Sequence, residues 1–256
     1  MSVILEVRDL RKSYGAMPIL KGINFDLARG GALALIGPNG AGKTTLFKVL
    51  TGETPATSGS VSYAGEEIVK LSAFRRVRKG IGRTFQVARV FLEMSALENV
   101  IVAIERRMRM ADQSLGRWYD FRPSPQIRRE AMVRLAEVGL DQRCGMEARF
   151  LSHGDKKRLE LAVSLALEPE VLMLDEPTAG MSPSDRQDTV KLLKRLKAER
   201  GFTMMMTEHD MDVVFGLADS AMVLNYGEII ARGSLEAVRD DPMVREVYLG
   251  HEAHDA

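Results

Sequence analysis

The sequence predicts an α/β fold with a helical segment set into it, and three observations carry that expectation. GALALIG, residues 31–37, is a continuous apolar run ending in glycine, as a buried strand ends, and helical texture follows it in TLFKVLTG, residues 45–52. From residue 96 to about 167 the pattern is helical, interrupted by FRPSP at 121–125 and by Gly139 and Gly145. VLML at 171–174 then restores the core with a second buried-strand run that closes on an Asp-Glu pair.

The remaining elements follow from local pattern. VILEVRDL at 3–10 alternates apolar and polar residues, and ILKGINFDLARGG at 19–31 repeats the alternation before a Gly-Gly turn. The first ninety residues read as short strands and turns, with one short strand inside 54–68 and another in GIGRTF at 80–85. After the Asp-Glu pair a helix spans 183–200, with proline suited to its first turn. FTMMMTEHD at 202–210 is a buried strand delivering Glu208, His209 and Asp210, and its three methionines are core filling, since no neighbouring Cys or His suggests a metal patch. SAMVLNYGEIIARG at 220–233 is a hairpin turning at 225–227. Two short helices close the chain, and the tail at 251–256 is frayed, leaving His251 and His254 without a metal role.

Bulk properties narrow the class. Of 256 residues, 45% are hydrophobic and 28% charged, enough apolar material for the core of one large domain. A net charge of +1 argues against a nucleic-acid partner. Charge is uneven, with 14 Lys/Arg against 6 Asp/Glu over residues 75–134, which is either a solvated surface or a face toward an anionic partner or membrane. The single Cys144 excludes an internal disulfide and suits a reducing cytosol. No run approaches the roughly 18 apolar residues of a membrane span, so service to a membrane would come from the cytosolic side through another chain.

GPNGAGKTT, residues 37–45, fits the phosphate-loop pattern between a strand and a helix. Its glycines let the loop backbone of Gly37, Pro38, Asn39, Gly40, Ala41 and Gly42 wrap the phosphates, with the N–H groups of the non-proline residues converging on phosphate oxygens. Lys43 would reach the β and γ phosphates, Thr44 would put its hydroxyl on Mg²⁺, and Thr45 would donate to a neighbouring phosphate. Asp175, ending the acidic strand, supplies an anionic oxygen for Mg²⁺ or a water on it. Glu176 points the other way, where a carboxylate can polarise water attacking the γ-phosphorus. Gln86 and His209 both follow strands that end on the nucleotide face. Gln86 would ligate Mg²⁺ or its water and sense the γ-phosphate; His209 would hydrogen-bond that phosphate. Tyr14 is either a ring stacked on the base or a partly buried anchor. LSHGD at 151–155, opening a helix, offers a second anion site that a single phosphate loop does not need.

Taken in order, SYG at 13–15, the phosphate loop, FQ at 85–86, LSHGD, VLMLDEP at 171–177, SPSD at 182–185 and EHD at 208–210 resemble the ATP-binding cassette (ABC) family of transport ATPases. The set runs from residue 14 to 209, and its order is far more specific than any member. The resemblance implies a P-loop NTPase fold: a RecA-like core with an antiparallel β subdomain over 1–86 and 168–256, and an inserted α-helical subdomain over 87–167. It implies ATP and Mg²⁺ as cofactors, and a head-to-tail dimer, of this chain or with a paralogous ATPase. Ser152 and the backbone of Gly154 would then bind the partner's γ-phosphate, and Asp185 would lie on the loop between the two sites. Two positions depart from the usual LSGGQ, His153 and Asp155, and Asp155 is expected to face outward, away from phosphate.

The segment RTFQVARVFLEMSALENVIVA, a linker of about 25 residues carrying Trp118 and Pro123, and the ending VREVYLG are similar to the ATPases of branched-chain amino acid importers. Lipopolysaccharide-export ATPases share that ending but lack the linker, and remain the alternative with urea or amide importers. A soluble, non-transport ABC ATPase is the less favoured class, because such proteins carry a second cassette or coiled coils. The expected partners are membrane-spanning permease subunits met at the cytoplasmic face of the membrane. The basic helical stretch after Gln86 is the candidate docking surface, with charge reversal at Arg75, Arg76 or Arg106 as its test.

Overall fold

The computed structural model describes residues 2–110 and 123–246. The linker around Trp118 and the tail with His251 and His254 lie outside the described residues. In chain order the elements are β1 (Val3–Tyr14), β2 (Met17–Ala28), β3 (Ala32–Ile36), α1 (Lys43–Leu50), β4 (Ser58–Tyr63), β5 (Glu66–Glu67), α2 (Ala73–Arg78) and β6 (Ile81–Arg83). There follow α3 (Ala96–Met110), α4 (Pro125–Glu137), α5 (His153–Ala166), β7 (Val171–Asp175), α6 (Pro183–Arg200) and β8 (Thr203–Thr207). The chain continues through α7 (Met211–Leu217), β9 (Ser220–Asn225), β10 (Glu228–Gly233) and α8 (Leu235–Asp240).

Two sheets result. One is antiparallel, in the order β2-β1-β4-β5; the other runs β10-β9-β3-β8-β7-β6 and is parallel except for β10 at its edge. The central strands β3, β7 and β8 are buried along their whole length, as apolar runs covered on both faces require. Alternation within them sorts the core into two layers. Ala34, Leu172, Met204, Met206 and Val223 face the layer that holds α3 to α8. Leu35, Val171, Met173, Met205 and Met222 face α1 and the antiparallel sheet. The methionine triplet is therefore core on both sides of one strand, as its apolar setting suggested.

Helix α2 departs from the expectation of strands and turns. Six residues are too few to show a helical period, and a tertiary contact holds them. The Arg76 guanidinium, 1% exposed, donates to the carbonyls of Val49 and Leu50 at 2.7 Å each, Val69 at 2.8 Å and Leu71 at 3.1 Å. Burial pushes its pKa down to about 10. Arg76 thus caps the end of α1 and is removed from the docking surface; Arg75 and Arg106 remain exposed.

Candidate functional site

Parallel register puts the carboxyl ends of four strands along one crest. Thr207 pairs with Leu35 on one side and Asp175 on the other, and Arg83 pairs with Met173. The segments leaving those ends are the phosphate loop, the Glu176 turn, the Glu208-His209 pair and the stretch reaching Gln86. Open α/β sheets bind ligands at such a crest.

The phosphate loop takes its shape from glycine. Gly37 has φ +146°, and a Cβ there would lie 2.0 Å from the Leu224 carbonyl oxygen. Gly42, at φ +108°, is the N-cap of α1 and no side chain caps that helix. The unpaired N–H groups of its first turn, with the helix dipole, are offered to an anion. The β9–β10 turn supports the loop from behind, its Gly227 N–H donating to the Ala41 carbonyl at 2.9 Å. Pro38 is half-buried, while Asn39, Gly40 and Thr44 are exposed at the surface that a triphosphate would meet. Thr45 is half-buried. The Lys43 ammonium donates to the carbonyls of Gly37 at 2.5 Å and Pro38 at 3.0 Å. Burial pushes its pKa down, and the carboxylates of Glu176 and Asp175 work against that shift, so all three charges share one pocket.

Asp175, 6% exposed, is held by both oxygens: Thr207 donates its hydroxyl at 2.8 Å and Arg83 a guanidinium N–H at 2.7 Å. Glu176 follows with φ +46°, a left-handed backbone that costs a non-glycine residue about 1–3 kcal/mol and persists where neighbours over-determine it. Those neighbours are visible. Its N–H donates to the Thr207 carbonyl and hydroxyl at 3.1 Å each, and its carbonyl accepts the Lys157 ammonium at 2.8 Å. The turn aims the side chain at Gln86, whose amide donates to the Glu176 carboxylate at 2.9 Å.

The Gln86 segment is anchored to α5. Glu160, 3% exposed, accepts the N–H groups of Phe85 at 3.2 Å and Arg89 at 2.8 Å, and burial raises its pKa. His209 is well exposed at the end of β8; Glu208 beneath it is buried and receives the Thr178 hydroxyl. Tyr14, half-exposed at the end of β1, lies 4.8 Å under the Lys12 ammonium and belongs to the antiparallel sheet, on none of the four strands of the crest. Arg83, Thr207, Lys157 and Glu160 were not singled out in the sequence. Thr207 carries a faint signal, a polar residue ending a buried run; the others are charged residues whose burial appears only once the elements pack.

A hard cation takes oxygen ligands and, as Mg²⁺, usually keeps waters and substrate phosphates in its shell. Thr44, Asp175 and Gln86 supply hydroxyl, carboxylate and amide oxygens, so the donor set fits such an ion. Among the described residues no group of three or more His, Cys, Asp or Glu is placed to hold a metal ion by itself.

At the start of α5, Ser152 is the N-cap and its oxygen accepts the Asp155 N–H at 3.1 Å. Nothing lies within 4 Å of a Cβ built at Gly154, so backbone there is open to approach. Asp155 does not face outward as expected. It is 8% exposed, accepts the Ser152 hydroxyl at 2.8 Å and is paired with Arg143. A cavity of about 570 Å³ opens beside it, lined by Ser152, His153, Gly154, Arg158, Gly180 and Asp185 among others.

A parallel sheet, a glycine-built loop on a helix N-terminus and an acidic strand end at the same crest define a P-loop nucleoside triphosphatase. Comparisons with known proteins narrow this further. The ABC transporter family model matches residues 20–179, and the model of the branched-chain amino acid ATP-binding cassette transporter matches 228–254. The chain is 39% identical to BraF of Pseudomonas aeruginosa, a high-affinity branched-chain amino acid transport ATP-binding protein, over 96% of this chain and 98% of that one. It is 35% identical to LivG of Escherichia coli, which carries the same description, over 96% and 98%. The ADP conformation of MJ1267, an ATP-binding cassette of an ABC transporter, superposes with a TM-score of 0.85 at 29% identity, covering 98% of this chain and all of that one. The chain belongs to the ABC transporter family and is an ATP-binding, ATP-hydrolysing subunit. No helix among its described residues is long and apolar enough to cross a membrane.

Proposed function

We propose that this chain energises import of branched-chain or other hydrophobic amino acids, acting as a dimer beneath membrane-spanning subunits at the cytoplasmic face. The observation that supports this reading best is full-length similarity to BraF, joined by the family match at 228–254. The dimer is of two such chains or of this chain with a paralogue, and the segment 87–167 acts as a helical subdomain against the core formed by 1–86 and 168–256.

In this mechanism Gly37 to Thr45 wrap the ATP phosphates with backbone N–H groups, and Lys43 turns from its carbonyl partners to the β and γ oxygens. Tyr14 stacks on the base. Thr44, Gln86 and Asp175 would hold Mg²⁺, which would supply charge neutralisation at the phosphates. Glu176 orients and deprotonates the attacking water, released from Gln86 as that amide turns to the γ-phosphate, and His209 holds the phosphate that forms. Ser152 and Gly154 complete the site of a second subunit through the cavity at the start of α5, so one copy is an incomplete catalyst. Closure on ATP and reopening after hydrolysis would be passed to the membrane subunits.

Glu176→Gln is expected to abolish turnover while preserving ATP-driven association, read by light scattering; wild-type turnover would remove Glu176 from its role. Lys43→Ala is expected to weaken ATP binding by at least about tenfold, and an unchanged affinity in a calorimetric titration would contradict the phosphate-loop reading. Copurification identifies the membrane subunits, and uptake of labelled leucine by vesicles containing them tests the cargo.

A further inference from the structure

We propose that Lys157 is a positioning residue for ATP hydrolysis, through which the helix that faces a second subunit sets the geometry of Glu176 in its own. The inference rests on the reading of Glu176 as the water-activating group. Lys157 lies in the second turn of α5 and is 7% exposed. Its ammonium reaches the Glu176 carbonyl at 2.8 Å, while Thr207 grips the N–H of the same residue at 3.1 Å. Between those two anchors Glu176 takes its left-handed backbone, so the direction of its side chain depends on both.

One turn further along α5, Glu160 holds the N–H groups of Phe85 and Arg89 on either side of Gln86. The two members of the Gln86–Glu176 hydrogen bond are therefore both tied to one helix, one by its carbonyl and the other by flanking N–H groups. Ser152 and Gly154 open that same helix. A shift of α5 when its N-terminus meets ATP bound to another subunit is carried along a rigid element to both groups at once. Lys157 is the link that reaches the Glu176 peptide; a methionine would keep the packing of its stem and lose the grip.

The test is Lys157→Met in the full chain, with kcat and KM for ATP measured separately and referred to the fraction of protein that binds nucleotide. A misplaced carboxylate predicts a fall in kcat of about 10- to 100-fold, with KM, and ATP-driven association in a Glu176→Gln background, within about twofold of the parent. Lys157→Arg retains a donor and is expected to recover most of kcat. An unchanged kcat in Lys157→Met, a parallel loss of kcat and ATP affinity, or no recovery in Lys157→Arg would each overturn the proposal. Glu176→Gln assayed alongside separates the two readings: if it turns over ATP normally, the role of Glu176 and this inference fail together. If it is inactive while Lys157→Met is fully active, only this inference fails.

Discussion

Asp155 turns inward because the start of its own helix offers the better partner. A carboxylate three residues after an N-cap serine can accept the serine hydroxyl while the serine oxygen accepts its N–H, and both occur here at 2.8 and 3.1 Å. Ser182 and Asp185 repeat the arrangement at 2.7 and 3.2 Å, so the geometry is local. What sets Asp155 apart is Arg143, which neutralises it beside Ser152 and Gly154, the surface proposed to meet phosphate. Without that arginine an unpaired anion would already occupy the positive end of α5. Arg143→Ala is expected to weaken ATP-driven association of the Glu176→Gln protein by roughly tenfold, and adding Asp155→Asn to restore it, as read by sedimentation across ATP concentrations.

The starts of the helices show how element and site are matched. Ser or Asp side chains cap α4, α5, α6, α7 and α8, whereas α1 begins at Gly42 with no side-chain cap. Its first-turn N–H groups are left for a ligand. Because Gly37 sits where a Cβ would meet the Leu224 carbonyl at 2.0 Å, Gly37→Ala is expected to lower ATP affinity by more than tenfold and also reduce stability, measured by titration and by urea unfolding. The other end of α1 depends on Arg76. Arg76→Met should cost about 2–4 kcal/mol by leaving buried carbonyls unpaired, with little change in turnover per folded molecule; a denaturant midpoint equal to wild type would refute that assignment.

Across the molecule, the basic bias of residues 75–134 divides into internal and external parts. Arg76 is buried, Arg83 is paired with Glu53 and Asp175, and Arg107 binds Glu130 through two bonds of 2.8 and 2.9 Å while also reaching Glu168. Those arginines join elements of the fold. Arg75 and Arg106 remain on the surface, the latter 4.6 Å from the exposed Phe74 ring, with Val87, Phe91 and Leu92 also exposed. A surface mixing exposed cations and large apolar side chains suits docking to another protein. Arg106→Glu is expected to reduce substrate uptake in reconstituted vesicles at least fivefold with the ATPase of the detergent-free subunit unchanged; uptake equal to wild type would remove this face from docking.

Pattern and spacing by themselves determined the α/β class, the phosphate loop, the acidic strand end, the helix at 183–200 and the hairpin, because each is encoded by neighbours in the chain. LSHGD was likewise legible as the opening of a helix. The tertiary structure alone decided the pairing of Asp155 with Arg143, the burial of Arg76 and the grip of Lys157 and Glu160 on the Glu176 and Gln86 segments. The physical reason is common to them. A charged residue in a short motif has the same local signature whether it meets solvent, a carbonyl or a counter-ion, and only packing brings partners from 5 to 75 residues away into hydrogen-bonding distance.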